Sequence, residues 1–182
     1  MSPGSSITTR IGDKGTTQLF SGETVSKNCS RTNAYGDLDE LVSVLGVARA
    51  MTSKPDVAQT LITLQRKLFV VGAELATTPD ALALLGQRVD EAMLAELDAA
   101  RDALEERLPP PTGFILPGGT PAAAHIDLAR SIARRCERKA VGLRDAGELD
   151  NSFLIVWLNR LSDYLWLLAR WEEGGATLPK DV

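Results

Sequence analysis

Two segments of this chain repeat leucine and valine at alternating spacings of four and three residues. Residues 55–76 carry Val57, Leu61, Leu64, Leu68, Val71 and Leu75, and residues 151–173 carry Leu154, Leu158, Leu161, Leu165 and Leu168. Because an α-helix turns about 100° per residue, these spacings place the apolar side chains on one stripe of each helix. Such stripes are typical of helix bundles, so the two segments predict an all-α fold.

Similar patterns predict three more helices, over residues 33–51, 90–108 and 121–144. Asp90 is expected to cap the start of the 90–108 helix, and Pro121 suits the first turn of the 121–144 helix. Residues 80–88 can hold one further turn. The connections are short, which favours a five-helix, mostly antiparallel bundle, and 182 residues fit a single domain over 1–182.

The N-terminal part of the chain lacks a helical pattern. Residues 7–32 are rich in Gly, Thr, Ser and Lys, which predicts an ordered or ligand-ordered loop with a short strand. Residues 1–6 are expected to form a flexible tail, residues 33–173 the bundle and residues 174–182 a C-terminal tail.

Composition restricts the partners of this chain. Its net charge of −4 repels nucleic acid, so any polyanion must bind a local basic pocket. It has no run of about 18 apolar residues, as a membrane-spanning helix requires. Cys29 and Cys136 lie far apart in sequence, which fits a reducing compartment, and no secretory signal is visible. We therefore expect a cytoplasmic protein that binds neither membrane nor nucleic acid.

A concentration of arginines marks the predicted fourth helix. Arg130, Arg134, Glu137 and Arg138 fall within about a third of a turn of one another, whereas Arg135 points away. Guanidinium groups on one face repel each other unless an anion or carboxylates lie opposite. Two interpretations stay open at this point: a phosphate clamp in which Glu137 orients an arginine or helps to hold a metal, and a solvated charged face.

The predicted loop and fifth helix offer further candidates. Gly, Thr and Lys in residues 8–17 can wrap phosphates, although the spacing is not that of a Walker A loop and an ordinary turn is the alternative. Lys27 and Arg31 add positive charge nearby. Asn159 and Asp163 are neighbours one turn apart and are poor helix formers, so either they serve a site or Asp163 pairs with an arginine of another helix.

Two other residue patterns bear on the chemistry. Asp37 either favours the helix dipole at its helix start or pairs with an arginine of the fourth helix, where helices or subunits meet. His125 is the only histidine, and the Glu-x-x-His pattern of di-iron bundles is absent. If the chain is an enzyme, it is expected to work by positioning and electrostatics, with the nucleophile supplied by a cofactor or substrate.

Five segments together make the chain resemble the PduO-type ATP:cob(I)alamin adenosyltransferases. They are Thr-Arg-Ile-Gly-Asp-Lys-Gly-Thr-Thr (9–17), Ala-Tyr-Gly-Asp-Leu-Asp-Glu-Leu (34–41), Phe-Ile-Leu-Pro-Gly-Gly (114–119), Arg-Arg-Cys-Glu-Arg (134–138) and Leu-Asn-Arg-Leu-Ser-Asp-Tyr-Leu (158–165). The segments occur in family order and span nearly the whole chain. The resemblance implies transfer of the 5′-deoxyadenosyl group of ATP to cob(I)alamin, which forms adenosylcobalamin and triphosphate with the help of Mg²⁺.

The resemblance also implies an assembly and partners. It implies a homotrimer with each active site between two subunits, an electron donor that reduces cob(II)alamin, and transfer of the product to a B12-dependent enzyme such as a mutase. The N-terminal loop is expected to fold over ATP when ATP and Mg²⁺ bind.

Residue roles carry over by position. The implied ATP contacts are Thr9, Arg10, Ile11, Gly12, Gly15, Thr17, Gln18 and Lys27 in the loop, and Arg134, Arg135, Glu137, Arg138 and Asn159 in the bundle. Four residues are implied as catalytic: Arg130, Arg134, Phe114 and Asp37. Arg130 is expected to pair with Asp37 across the subunit boundary beside the triphosphate. Phe114 matches an aromatic residue that displaces the lower axial ligand of cobalamin. Mg²⁺ is expected on the ATP phosphates, with Glu137 as a further ligand.

The chain departs from the family pattern at a few positions. Asp127 stands where family members usually carry His, and His125 lies two residues earlier. Val42 replaces a common Asn, and Glu23-Thr24 replaces a frequently basic stretch. None of these touches the core ATP motif, so activity is expected. A non-enzymatic cobalamin carrier or chaperone on the same bundle remains the alternative. A basic-helix nucleic-acid module is disfavoured by the net charge and the lack of stacking aromatics near residues 130–139.

Overall fold

The computed structural model describes residues 8, 10–110 and 113–174. The α-helices in these residues are α1 (Ser30–Met51), α2 (Pro55–Leu75), α3 (Glu91–Glu105), α4 (Pro121–Asp145) and α5 (Ser152–Glu172). A 3₁₀ turn at Pro79–Leu84 supplies the extra turn expected in 80–88. The predicted all-α, five-helix bundle is confirmed. The predicted tail at 1–6 and, except for Gly174, the predicted tail at 174–182 lie outside the described residues.

The helices pack in the spatial order α2, α1, α4, α5, α3, since α1 lies against both α2 and α4, and α5 lies against both α4 and α3. The two predicted stripes are buried throughout: every leucine and valine of both repeats is at most 3% exposed. Burial of these stripes supplies the main free energy that holds the helices together. No described helix is long and apolar enough to cross a membrane.

Side-chain caps fix several helix starts. The Asp90 carboxylate accepts a hydrogen bond from Met93 N at 2.8 Å, as predicted, and Thr120 and Asn151 cap α4 and α5 in the same way. Helix α1 begins at Ser30, three residues before the predicted start at 33. The earlier start arises because the Cys29 carbonyl accepts hydrogen bonds from the Thr32 and Asn33 side chains and from Asn33 N, which extends the first turn.

The loop before α1 contains a small hairpin. After a 3₁₀ turn at Ile11–Lys14, strands β1 (Thr16–Gln18) and β2 (Thr24–Ser26) pair antiparallel, with Thr17 opposite Val25. Phe20 N donates to the Ala76 carbonyl at 2.9 Å, which fixes the hairpin to the C-terminal end of α2. The sequence predicted one short strand here, and the structure has two.

Candidate functional site

Lys27 and Gly12 form the centre of the N-terminal loop. A Cβ atom at Gly12 would lie 2.7 Å from Lys27 Nζ, so a side chain at this position would displace the ammonium group from over this backbone. Lys27 N also donates to the Gly15 carbonyl at 2.9 Å. The loop therefore places the Lys27 ammonium group directly over the Gly12 backbone, and a cation at this position suits phosphate oxygens.

The backbone of the loop is held in an uncommon conformation. Arg10 has φ of 61° and is the one non-glycine residue with positive φ in the described part of the chain, while Gly15 has φ of 80°. Such a conformation is unfavourable for a side-chain-bearing residue and is found preferentially at functional sites. Partial burial raises the pKa of Tyr35 on α1 despite an opposing hydrogen bond with Thr17, so Tyr35 connects the hairpin to the bundle. Ile11 and Gln18 are exposed, and Thr9 lies outside the described residues.

Helix α4 carries the predicted arginine stripe, and its members differ in their partners. Arg134 and Arg138 are exposed, and within the described residues neither lies in an ion pair. Two like charges one helical turn apart, without a carboxylate, are unfavourable until an anion neutralises them. They are the part of the stripe that remains available for a phosphate group.

Glu137 and Asn159 join α4 to α5 beside these arginines. Asn159 Nδ2 donates to Glu137 Oε1 at 3.0 Å, and Arg160 donates to Asn159 Oδ1 at 3.2 Å. Arg160 Nε also lies 3.3 Å from Asp98 on α3. This chain of contacts fixes the orientation of the Glu137 carboxylate. Asp163 is exposed and forms no ion pair with the described residues, so the alternative pairing with an arginine is not found within the chain.

Arg135 faces α1 and pairs with acidic residues there. Its Nε lies 3.1 Å from Asp37, and its guanidinium group also contacts Glu40. Desolvation opposes the charged form of Arg135, but the carboxylates of Asp37 and Glu40 outweigh it and raise its pKa above the ordinary value. Of the two roles considered for Asp37, the structure therefore shows pairing with an arginine of the fourth helix. The expected pairing of Arg130 with Asp37 runs between subunits and stays a prediction.

The segment between α3 and α4 exposes an aromatic ring. Phe114 is 84% exposed and Leu116 is 49% exposed, an unusual position for apolar side chains. Gly118 has φ of 114°, which favours glycine, and Gly119 N donates to Glu173 Oε1 at 2.9 Å. The described chain leaves Phe114 uncovered, so a ligand or another chain can cover it.

Asp127 occupies a buried position that sequence reasoning left without a role. It is 4% exposed, and its Oδ2 accepts from Arg170 on α5 at 2.5 Å. His125 Nδ1 lies 2.8 Å from the Pro121 carbonyl of its own helix. Asp127 therefore forms a buried ion pair between α4 and α5, whereas the contact of His125 lies within its own helix.

Sequence reasoning placed Arg31 among the cations near the loop and gave Glu74 no role, but the structure buries both side chains. Arg31 donates to the Leu75 and Thr77 carbonyls at 2.8 Å and to the Glu148 carbonyl at 2.5 Å. Glu74 is fully buried and accepts from Arg88, Val89 N and Asn151. Their only signal in the sequence was a charge next to apolar stripe positions, which does not identify a partner distant in sequence.

Within the residues that the structure describes, no metal cluster marks the predicted site. A cavity of about 290 Å³ lies between α2, α3 and α5, and none of the predicted site residues lines it. In the described part of the chain, no three His, Cys, Asp or Glu side chains lie close enough to hold a metal ion. The basic residues and Phe114 lie instead on open surface.

The family model and two curated proteins that match this chain are all described as cobalamin or corrinoid adenosyltransferases. The family model described as cobalamin adenosyltransferase matches residues 7–172. The chain is 41% identical over 170 residues to the corrinoid adenosyltransferase PduO of Citrobacter freundii, covering 93% of this chain but only 50% of that protein. It is 39% identical to another corrinoid adenosyltransferase of Citrobacter freundii, covering 92% and 94% of the two chains. The chain thus spans about half of the PduO protein but nearly all of the second relative.

Solved structures agree in fold. A variant PduO-type ATP:corrinoid adenosyltransferase from Lactobacillus reuteri, complexed with cobalamin and ATP, superimposes with a TM-score of 0.89 at 32% identity. The match covers 97% of this chain and all of that one. A second variant of that enzyme, complexed with ATP, gives a TM-score of 0.83 at 32% identity over 96% and 99% of the chains.

Proposed function

Because this chain belongs to the cobalamin adenosyltransferase family, we propose that it transfers the 5′-deoxyadenosyl group of ATP to cob(I)alamin and releases triphosphate. The observation that carries this proposal is the exposed pair Arg134 and Arg138, which has no carboxylate partner among the described residues and lies beside the Glu137–Asn159 contact. The Gly12–Lys27 loop supplies a second cationic surface of the kind that phosphates require. We propose as ATP contacts the loop and bundle residues predicted from the sequence.

The reaction needs no nucleophile from the protein. The electron pair of Co(I) forms the bond to the 5′-carbon of ATP, the bond from that carbon to oxygen breaks, and triphosphate leaves with the bonding electrons. Negative charge develops on the leaving oxygen, so the cations Arg134, Arg138 and Lys27 stabilise the transition state more than the ground state. Mg²⁺ bound to ATP supplies further neutralisation of the phosphates. Glu137 is a single fixed carboxylate, which fits a Mg²⁺ ion held mainly by phosphate oxygens.

The cobalamin side of the site is assigned to Phe114. An apolar ring next to the corrin excludes water and the lower axial ligand, and a cobalt ion without that ligand is easier to reduce to Co(I). The 84% exposure of Phe114 supports this assignment, since an uncovered phenyl ring is available to a ligand. Asp37 and Arg130 are proposed to join the two subunits that form each site.

We further propose that the chain works as a cytoplasmic homotrimer of single-domain subunits, with residues 7–32 closing over ATP. The open position of the basic residues and Phe114 supports a site completed by a second subunit, since Lys27, Arg134, Arg138 and Phe114 are all exposed. An electron donor that reduces cob(II)alamin and a B12-dependent acceptor enzyme such as a mutase complete the proposed partners.

The test is an anaerobic assay with reduced cobalamin, ATP and Mg²⁺ that follows the change in corrin absorbance. Arg134→Ala is expected to lower kcat by at least about 100-fold, since one lost charge-stabilising group in a site of this kind costs roughly that much. Arg66→Ala removes an exposed arginine of α2 and serves as the matched control.

Two outcomes would contradict the proposal. Full turnover by Arg134→Ala, with unchanged helical circular dichroism, would remove the arginine pair from the ATP site. A wild-type protein that binds cobalamin tightly but forms no adenosylcobalamin would support the carrier alternative.

A further inference from the structure

Three ionic side chains form a buried cluster where α4 meets the end of α5. Arg170 donates to Asp127 Oδ2 at 2.5 Å and to Glu173 Oε2 at 2.8 Å, and we call these three residues the Asp127 cluster. The side chains of Arg170, Asp127 and Glu173 are 4%, 5% and 2% exposed. Burying three charges costs free energy that apolar side chains of the same size would not cost. Stability alone is therefore a weak explanation for the cluster.

One end of the cluster holds the segment that carries Phe114. Glu173 Oε1 accepts a hydrogen bond from Gly119 N at 2.9 Å. A Cβ atom at Gly119 would lie 2.8 Å from Glu173 Oε1 and 2.9 Å from its Cδ, so only glycine permits this approach. A backbone N–H bonded to a buried carboxylate is a strong, charge-assisted contact. It fixes the end of the segment five residues after Phe114.

The other end of the cluster faces Arg130. Arg130 Nε is buried without a hydrogen-bond partner, and the facing carboxylate oxygen is Asp127 Oδ1 at 3.6 Å. Asp127 therefore lies between Arg130 and Arg170, with one oxygen toward each. The charge of Asp127 attracts the Arg130 guanidinium group and limits its orientation.

We infer that the Asp127 cluster positions the cobalamin side of the site, because its Glu173 end holds the segment that carries Phe114. Glu173 and Asp127 are positioning residues that act through Gly119 and Arg130 and do not touch the substrates. The inference rests on the proposed function. Within the described residues, the Glu173 carboxylate bonds to Gly119 and Arg170 and to none of the proposed ATP contacts, so its replacement should affect cobalamin binding and leave ATP binding unaffected.

The test compares variants in binding and turnover. Glu173→Ala removes the acceptor of the Gly119 N–H, and we expect KM for cobalamin and the dissociation constant for cob(II)alamin to rise about tenfold. KM for ATP should stay within about twofold. Glu173→Gln keeps one side-chain oxygen for Gly119 and should restore most of the cobalamin affinity. Electron paramagnetic resonance of cob(II)alamin with ATP present measures binding and axial ligation independently of turnover.

The matched control is Glu172→Ala. Glu172 is also buried at the end of α5, but its carboxylate accepts from Thr52 and not from the Phe114 segment. Equal rises of KM for cobalamin in Glu172→Ala and Glu173→Ala, or equal rises of both KM values in Glu173→Ala, would overturn the inference in favour of a structural role. If Glu173→Ala does not fold, Gly119→Ala perturbs the same contact from the exposed side and must show the same selective loss.

The two proposals fail in different ways. Wild-type protein that binds cob(II)alamin and ATP without forming adenosylcobalamin would refute the proposed function. Unchanged cob(II)alamin affinity and axial ligation in Glu173→Ala would refute the positioning role alone, and wild-type protein that binds no cobalamin would refute both.

Discussion

Arg31 connects three parts of the fold, and its replacement by methionine should be strongly destabilising. Its guanidinium group donates to the carbonyls of Leu75 and Thr77 at the end of α2 and to that of Glu148 in the α4–α5 turn. The residue is 3% exposed. Methionine keeps much of the apolar stem but removes every donor, so Arg31→Met isolates the contribution of the hydrogen bonds.

The magnitude follows from the number and kind of these bonds. A hydrogen bond from a charged donor contributes about 1.5–3 kcal/mol, and three such bonds set an upper limit near 9 kcal/mol. Burial lowers the pKa of Arg31 while Glu148 raises it, so desolvation of the charge offsets part of that gain. Breaking a buried ionic network by removing one partner typically costs about 3–5 kcal/mol, and we expect a loss in this range.

Urea denaturation at neutral pH, followed by circular dichroism at 222 nm, measures the free energy of unfolding. Arg66→Met is the control, because Arg66 is exposed on α2, and it should change stability by less than about 0.5 kcal/mol. A loss below about 1 kcal/mol in Arg31→Met, with an unchanged denaturant slope, would show that water replaces the guanidinium group at these carbonyls and would refute the reasoning.

Two further predictions follow from the thiols and the loop. Burial raises the pKa of Cys136 to about 12. Desolvation also opposes ionisation of the half-buried Cys29, but hydrogen bonds with the Thr32 side chain and with the Thr32 and Arg31 backbone outweigh it and lower the Cys29 pKa. A thiol-reactive disulfide reagent at pH 8 should therefore modify Cys29 quickly and Cys136 only after unfolding in urea. Two fast reactions in the native protein would contradict this prediction. ATP with Mg²⁺ should protect residues 8–20 from proteolysis. In Gly12→Ala the new Cβ would lie 2.7 Å from Lys27 Nζ. This variant should lose the protection and raise KM for ATP about tenfold, with unchanged helical content. Full protection in Gly12→Ala would show that Gly12 is not part of the ATP site.

Periodicity predicted the helices well because each helix buries one continuous stripe. The bounds of α2, α4 and α5 agree with prediction to within one residue at each end, whereas α3 ends at Glu105, three residues before the predicted end at 108. Helix α1 was misjudged at its start, where the capping bonds at Cys29 involve polar side chains that carry no periodic signal. The second strand of the hairpin was missed for a related reason: its residues alternate in burial over only three positions.

The sequence predicted which residues belong to the site, but not which of them contact each other. The arginine stripe was visible in the sequence, and so was the orientation of Arg135 away from it. The sequence could not show that Arg135 pairs with Asp37 and Glu40, or that Asn159 holds Glu137, because these contacts join residues 22 to 98 positions apart.

The sequence by itself determined the helices, the all-α class and the concentration of basic residues, because each depends on neighbours within a few turns of the chain. Only the tertiary structure decided which charges are free and which are paired. In the part of the chain that the structure describes, it left Arg134 and Arg138 without carboxylate partners and buried Arg31 and the Asp127 cluster. The reason is physical: pairing and desolvation depend on which helices pack together, and a charge changes from a solvated group to a structural one when a distant element covers it.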